Sequence, residues 1–558
     1  MPTVTFINEN EAIQVERGTT VLEAARLAGV TIESPCNGTG VCGKCKVKLD
    51  EVSISNILHM DGHRLSADEE RKGYVLACEA RICGDIKVAT VQSHKGEALK
   101  ILDHGKSFDI YLDRYVEKKF SIEEGKTYVY GGGNLLGSEK GDTSGENYGL
   151  VVDIGTTTLV TSLVSLITGE EIDSISALNP QALHAQDVLS RIKLASGDHG
   201  LKLLYSALKE ELNRMIAFLA QCNHINARMI YEVVFSGNTC MLHLAANIDP
   251  NSLGKYPYTP KIHGAVHLRA SEHKLGIAEF GLIYLPPIIS AFVGADITSG
   301  ILAAQLEKKK GVTLFIDIGT NGEMVIGLDG KLSATSTAAG PAFEGMNITH
   351  GMRAAIGAIE YFNIESDGSI TIRTIGNAEA KGICGSGLLD IVGELAAAGI
   401  INKNGKFADP EAAGILPALK KRLIKQDGKT VFKITDSITL TQKDVRQVQL
   451  AKGAVRAGIE FLLSSRGVEA SQVHRVLIAG SFGYHLQAKS LIHIGLLPVD
   501  FEGKIEFIGN TSKSGGHAFL VNKTYRTQME RLVKRVDVIE LADYKDFDRV
   551  FVQCLNFQ

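Results

Sequence analysis

Four of the nine cysteines in this 558-residue chain fall between positions 36 and 78. Cys36, Cys42 and Cys45 stand as C-x5-C-x2-C, and Cys78 follows 33 positions after Cys45. Thiolates are soft ligands suited to zinc and to iron–sulfur clusters. Zinc usually takes paired knuckles with a second pair or histidines downstream. Three thiolates close together with a fourth remote in sequence suit a [2Fe–2S] cluster instead. Gly38, Gly40 and Gly43 let the backbone wrap tightly and bring N–H groups toward the cluster sulfides. Unliganded core cysteines are a poor account of this loop, because cysteines among glycines have no apolar face to occupy. Cys83 competes with Cys78 for the fourth position. Cys222, Cys240, Cys384 and Cys554 are scattered and are expected in the core.

A second chemistry is carried by a repeat. GLVVDIGTTT at 149–158 returns as TLFIDIGTNG at 313–322. Each copy is an apolar strand that ends in an aspartate, Asp153 or Asp317, followed by Gly155–Thr156–Thr157 or Gly319–Thr320–Asn321–Gly322. Successive N–H and hydroxyl groups in such a turn form a nest for phosphate. A carboxylate at the strand end can hold Mg²⁺ through water. Further Gly-centred turns follow: Gly237–Asn238–Thr239, Gly340 with Glu344 nearby, Gly385–Ser386–Gly387, and Gly480–Ser481–Phe482–Gly483. Singly each is weak, since strand–helix turns often need glycine. No G-x4-G-K-[ST] sequence is present, which argues against a P-loop nucleotidase.

The elements that must position these residues can be read from periodicity. Residues 1–93 alternate apolar and polar positions in five short runs around one helix, TTVLEAARLAG, which suits a β-grasp unit. Residues 94–147 are polar, irregular and Gly-rich, and are expected to be a linker with a short helix near Ile101 and a strand near Phe108. The remainder alternates strands and helices, so the class is α/β, and the repeat divides it into two lobes, 148–311 and 312–558.

Composition narrows the field. Hydrophobic residues make up 44% and charged residues 22%, which excludes a disordered or fibrous chain. The net charge of −4 gives no electrostatic reason to expect nucleic acid or an anionic membrane as partner. The N-terminal run has no basic start followed by an apolar core, and no stretch is apolar enough to span a bilayer. A cytoplasmic protein is expected.

Two resemblances follow. The C-x5-C-x2-C spacing is similar to that of adrenodoxin-type ferredoxins, and Leu76–Ala77–Cys78 resembles a ferredoxin segment whose cysteine is the fourth ligand, which favours Cys78 over Cys83. The ordered turns resemble the acetate/sugar kinase, heat-shock chaperone and actin superfamily (ASKHA), two RNase H-like lobes with Mg²⁺-ATP between them. That resemblance implies that Asp153–Thr157 and Asp317–Gly322 are the phosphate loops and Gly480–Gly483 the adenosine motif. Glu344 is a candidate base near the terminal phosphate.

A ferredoxin domain joined to an ASKHA ATPase resembles the reductive activators of corrinoid proteins. The stretches NPQALHAQDVLSRI, GNTCMLHLAANIDP, GPAFEGMNITHGMRAAIGAIE and DVRQVQLAKGAVRAGIE carry the likeness. The resemblance implies ATP-dependent transfer of an electron from the cluster to inactive Co(II) corrinoid, giving Co(I), in a methyl-transfer system of anaerobic metabolism. It further implies a corrinoid-protein partner, an upstream low-potential electron donor and a possible homodimer. Rival readings are a small-molecule kinase with a redox-sensing ferredoxin domain, an ASKHA activator of another low-potential metalloenzyme such as a radical dehydratase, and a redox-gated binding module.

Overall fold

A computed structural model of the chain describes residues 1–8, 11–28, 30, 32, 45–58, 65, 67–90, 99–100, 109–185, 187–197, 199–345, 347–352, 354–409, 414–426, 428–480 and 486–558. In the N-terminal unit, β1 (Thr3–Phe6), β2 (Glu11–Gln14), β3 (Lys46–Leu49), β4 (Tyr74–Leu76) and β5 (Ile86–Thr90) form a mixed sheet in the order β2-β1-β5-β3-β4. Period-2 alternation turns Val4, Phe6, Val47, Leu49, Ile86 and Val88 inward. There they meet Val21, Leu22, Ala24 and Ala25 of helix α1 (Val21–Leu27). Thr20 and Glu23 start α1 with reciprocal bonds: the Glu23 N–H donates to Thr20 Oγ1 (3.1 Å), and the Thr20 N–H donates to Glu23 Oε2 (2.9 Å).

The segment read as a linker is different. Ile101 and Phe108 lie outside the described residues, while Leu99–Lys100 pairs antiparallel with Asp109–Ile110. Its second part forms an antiparallel sheet of β6 (Val116–Ser121), β7 (Lys126–Gly131) and β8 (Asn134–Lys140). Gly132 and Gly133, with φ of +56° and +85°, make the two-residue turn between β7 and β8. Paired positive φ values suit tight hairpins, so glycines that look like a tether serve as a turn. The sheet buries Val116 and Val129 against Tyr231 and Phe280. It also buries Lys118, whose ammonium pairs with Glu139 (2.9 Å) and donates to Tyr231 Oη (2.7 Å).

The DIGT repeat marks two sheets of like connectivity. In the first lobe, β9 (Tyr148–Ile154), β10 (Thr158–Ser165) and β11 (Glu171–Leu178) form an antiparallel meander. Helix α2 (Gly200–Cys222) crosses back to β12 (Ile230–Gly237), which lies parallel to β9. Helix α3 (Thr239–Ala245), β13 (Val266–Arg269), β14 (Leu282–Leu285) and α4 (Ala295–Ala303) follow. In the second lobe, β15 (Val312–Ile318), β16 (Gly322–Leu328) and β17 (Lys331–Thr337) repeat the meander. After α5 (Gly385–Ala397) and α6 (Gln442–Ser464), β18 (Arg475–Ala479) lies parallel to β15, and β19 (Ile505–Gly509) parallel to β18. Helices α7 (Thr511–Val521) and α8 (Thr524–Val533) lead to β20 (Asp537–Val538), which joins β17, and a last helix, Phe547–Cys554, packs on α6.

Alternation along the two repeated strands sets the layers. Leu150, Val152 and Ile154 face α2 and α3, while Leu314, Ile316 and Ile318 face α5 and α6. The opposite faces, with Val151 and Phe315, meet in one shared core filled by α4, α7 and α8. Asp153 shares the Val151 face and Asp317 the Phe315 face, so both carboxylates are delivered to the shared layer. Helices α7 and α8 follow β19 in sequence yet also pack on the first lobe. Arg526 of α8 donates both guanidinium arms to buried Glu232 of β12 (2.7 and 3.0 Å). Among the described residues no helix is long and apolar enough to cross a membrane.

The crossing of α7 and α4 depends on Gly515, where an added Cβ would lie 2.0 Å from the Ser299 carbonyl oxygen. Gly515→Ala is expected to lower the stability of the two-lobed unit by about 1–3 kcal/mol in denaturant melts. Gly145→Ala, with nothing within 4 Å of the added carbon, serves as the neutral control. Equal midpoints for the two variants would contradict the close-crossing argument.

Candidate active site: a cysteine pair and an inter-lobe carboxylate cluster

In the N-terminal unit, β3 and β4 pair with Lys46 opposite Leu76. That register brings the residue before β3 beside the turn after β4, and the Ala77 N–H donates to the Cys45 carbonyl (2.8 Å). The sulfurs of Cys45 and Cys78 consequently lie 3.2 Å apart. Two thiolates on one tetrahedral metal, with bonds of about 2.3 Å, lie about 3.8 Å apart, so the pair fits a shared iron after a small opening. Cys36 and Cys42 lie outside the described residues. Cys83 sits past the short strand Arg81–Ile82, which pairs with Ile57–Leu58, and its N–H is tied to the Asn56 carbonyl (2.8 Å).

In the two-lobed unit, Gly237 and Gly509 end strands, Asp153 and Asp317 stand one residue before the ends of theirs, and Gly480 follows one. Carboxyl ends of parallel strands are where open α/β sheets bind ligands. The first loop is tightly folded: a Cβ on Gly155 would lie 2.6 Å from the Thr158 carbonyl oxygen. Asn238 Nδ2 donates to Thr156 Oγ1 (3.2 Å), while Asn238 Oδ1 caps α3 at the Met241 N–H (3.0 Å). Gly237 permits this approach, since a Cβ there would meet the Ile154 carbonyl at 2.7 Å. Thr239 turns away and donates to the Ser290 carbonyl (2.7 Å).

In the second loop, the Gly319 N–H donates to the Asn321 carbonyl (2.9 Å), and the Gly340 N–H to the Thr320 carbonyl (2.9 Å). Gly340 adopts φ +79° and opens the short turn that carries Glu344. Glu344 joins the two loops: Thr320 Oγ1 donates to its Oε1 (2.6 Å) and Thr157 Oγ1 to its Oε2. Burial raises its pKa against those hydrogen bonds. Gly322 lies within the β16 ladder opposite Ile318. Gly480 stands beside Asp317, with its Cβ position 2.5 Å from the Ile318 carbonyl and 3.6 Å from Asp317 Oδ1. Ser481, Phe482 and Gly483 lie outside the described residues.

Gly385, Ser386 and Gly387 have a packing role here. All three are buried, and Cβ atoms on the glycines would meet the Phe343 and Ile359 carbonyls at 1.8 and 2.1 Å. Ser386 Oγ donates to the Glu360 carbonyl (3.0 Å). These residues seat α5 against the turn that holds Glu344.

Sequence reading missed several members of the site. Asp153 accepts hydrogen bonds from Asn510 Nδ2 (2.8 Å) and Ser512 Oγ (2.7 Å) of the segment that begins α7. The available signal was a repeated Gly-Asn-Thr, at 237–239 and 509–511, each ending a strand and capping a helix. Asp296 in the first turn of α4 and Glu323 beside the second loop complete a group of four carboxyls with Asp153 and Asp317. Burial leads the shift in each. It pushes Asp317 up to about 8, with repulsion from Asp296 and Asp153 adding to it. Asp296 is pushed up to about 7, with Asp153 adding to the shift. Glu323 is raised too, by burial and by Asp296 and Asp317, and Asp153 is raised against its bonds from Asn510 and Ser512.

Asp153, Asp296 and Asp317 keep partial access to solvent, so an ion could reach them. Among the described residues no three acidic, histidine or cysteine side chains converge to ligate one ion directly. The donor set therefore fits a hard divalent cation held mainly through its own water shell, as Mg²⁺ prefers.

Comparisons with known proteins place this arrangement. A model described as the C-terminal domain of RACo, the ASKHA domain, matches residues 311–558, and one for the RACo middle region matches 148–309. A 2Fe-2S iron-sulfur cluster binding domain matches residues 5–83. The chain is 30% identical to the corrinoid activation enzyme RamQ of Eubacterium limosum, over 98% of both chains. The chain belongs to the family of corrinoid reductive activators. This activator is also 24% identical to the Co(II) methylated amine-specific corrinoid protein reductase of Methanosarcina barkeri, over 74% of this chain and 77% of that one. A solved reductive activator for corrinoid, iron-sulfur protein superposes with a TM-score of 0.73 at 29% identity, covering 100% of this chain and 98% of the other.

Two outcomes test the geometry. Asp296 has a raised pKa in the fold, so its ionisation opposes folding increasingly as pH rises from the ordinary carboxylate range to about 7. Asp296→Asn in the cation-free activator is expected to melt above the parent by about 1 kcal/mol or more at pH 8, with a smaller gap at pH 5 and closure of the gap by Mg²⁺. A parent that melts higher at pH 8 without cations would contradict this cost of ionising a buried Asp296. Second, iron and sulfide analysis of Cys83→Ser is expected to match the parent, at two of each per chain. Cys78→Ser is expected to change or abolish the cluster spectrum, and the reverse pattern would overturn the ligand assignment.

Proposed function

We infer that the protein is an ATP-dependent reductive activator that converts the Co(II) corrinoid of a partner protein to Co(I). The observation that carries this reading is the union in one chain of a ferredoxin-type cysteine pair and a two-lobed carboxylate site, in a family match spanning the chain. Cys36, Cys42, Cys45 and Cys78 would hold a [2Fe–2S] cluster. When bound, the cluster supplies the single low-potential electron, near −400 mV for plant-type centres, that the Co(II) substrate requires. An upstream donor of still lower potential must replace that electron.

The chain's own residues supply the ATP dependence. Gly155–Thr157 and Gly319–Gly322 offer N–H and hydroxyl groups to the phosphates, with Gly237 and Asn238 as a side wall. Asp153 and Asp317, helped by Asp296 and Glu323, would hold Mg²⁺ through water, and Gly480–Gly483 would support the adenosine. Glu344 spans both phosphate loops, so a phosphate that draws in the hydroxyl of Thr157 or Thr320 alters the bond to the other. Its raised pKa also suits holding a proton during hydrolysis. Corrinoid Co(II) is usually harder to reduce than the cluster. ATP can offset that only if the nucleotide-bound state prefers a partner conformation in which cobalt is easier to reduce.

The test is anaerobic. Purified protein, a strong reductant and a Co(II) corrinoid protein are mixed with and without ATP, and the Co(II) absorption is followed. ATP is expected to deplete Co(II). Asp317→Ala is expected to lower ATP hydrolysis at least tenfold, about 1.4 kcal/mol of transition-state stabilisation. Cys42→Ser is expected to keep ATP binding and lose Co(II) reduction. Reduction that ignores ATP or survives Cys42→Ser would overturn the reading.

A further inference from the structure

Arg191 has no part in the assignments above, yet its guanidinium is fully buried, with 0% exposure. It ends the sequence NPQALHAQDVLSR, and each of its three nitrogens donates within the protein. Nη2 donates to the Thr156 carbonyl (2.6 Å), Nε to the Ala185 carbonyl (3.0 Å) and Nη1 to Gln181 Oε1 (3.2 Å). Among the described residues no carboxylate lies within ion-pair distance of it. Asp187 and Glu344 act on it from beyond that distance and burial outweighs them, so the cation is costly unless the working state brings an anion closer. The anion nearest to hand in function is the nucleotide's polyphosphate.

The same segment holds the neighbouring peptides of the loop. Asn179 Nδ2 donates to the Gly155 carbonyl (2.8 Å), and the Asn179 N–H to the Thr157 carbonyl (2.9 Å). Three successive carbonyls, at 155, 156 and 157, are thus drawn onto Asn179 and Arg191. In a planar trans peptide the N–H points opposite to the C=O. Fixing these three carbonyls turns the N–H groups of Thr156, Thr157 and Thr158 away from the 179–191 segment. The Thr157 hydroxyl meets Glu344 and stands 3.3 Å from the Thr320 hydroxyl of the second loop. Consecutive N–H groups presented together make an anion nest.

We propose that Asn179 and Arg191 form a backbone clamp that pre-shapes the first phosphate loop, with Arg191 the positioning residue whose buried charge the polyphosphate of a nucleoside triphosphate offsets. The proposal rests on the assignment of ATP to this site. It assigns the clamp to phosphate recognition, so adenosine contacts do not depend on it. Arg191→Met keeps the volume of the aliphatic stem but removes both the fork and the charge. Arg191→Lys keeps the charge and loses the fork.

The experiment measures equilibrium binding of ATP, ADP and adenosine with Mg²⁺ to the full-length, cluster-loaded protein and its variants. Arg191→Met is expected to weaken ATP at least tenfold and ADP less, to leave adenosine within twofold, and to leave the cluster's visible spectrum unchanged. Arg191→Lys is expected to recover part of the ATP affinity, and guanidinium added to Arg191→Ala to recover part as well. Hydrogen exchange on the parent gives a readout that needs no variant: a non-hydrolysable ATP analogue is expected to slow exchange in the peptide spanning 155–158. Arg191→Met binding ATP like the parent, an equal loss for ATP and adenosine, or unprotected 155–158 amides in an analogue-saturated parent would each overturn the clamp. A parent that binds no ATP would instead overturn the assignment of the site.

Discussion

Burial of carboxylates gathered between two sheets, with mutual repulsion added, is the constraint on which the rest of this structure turns. It follows from a simple rule, that successive side chains of a strand point to opposite faces. In β9 and β15 the apolar residues at 150, 152, 154 and 314, 316, 318 secure the outer helices. The same alternation sends Asp153 and Asp317 toward the layer that the lobes share. Asp296 arrives there on α4 and Glu323 on β16, and burial raises all four pKa values. An arrangement that opposes its own ionisation is poorly suited to stability alone and well suited to a cation bound between the lobes.

The C-terminal helices turn that local chemistry into a coupling between lobes. Asn510 and Ser512 reach from the start of α7 to Asp153, while α7 crosses α4 at Gly515. Arg526 of α8 anchors the next helix on Glu232. The chain that follows β19 of the second lobe is therefore fastened to the first. Glu344 provides a second link through the hydroxyls of Thr157 and Thr320, one from each lobe. A ligand that alters either link acts on the relation between two packed bodies, the kind of element that supports discrete open and closed arrangements.

Much of this was legible in the sequence because it is local. Cys45 and Cys78 meet through a strand register that the alternation of β3 and β4 sets, and the DIGT repeat announces two like sheets. What escaped reading depends on contacts distant along the chain. Asp153 is bonded by residues more than 350 positions away. Arg191 lies inside a stretch that carried the family likeness, but its role depends on the Thr156 carbonyl 35 positions earlier. Gly385 and Gly387 have the composition of a phosphate turn and the packing of a helix seat. Gly132 and Gly133 have the composition of a tether and the dihedrals of a hairpin. Glycine-rich sequence states that the backbone must be free to turn or to be approached closely, and only the fold states by what.

The central claim is that the shared layer holds one divalent cation with the nucleotide, through water. Electron paramagnetic resonance of Mn²⁺ titrated into the protein with ATP tests it directly. The account predicts one Mn²⁺ per chain, with bound water detectable through ¹⁷O broadening and with affinity lowered at least tenfold by Asp317→Asn. Binding that is unchanged in Asp317→Asn, or a site whose Mn²⁺ carries no water, would contradict it.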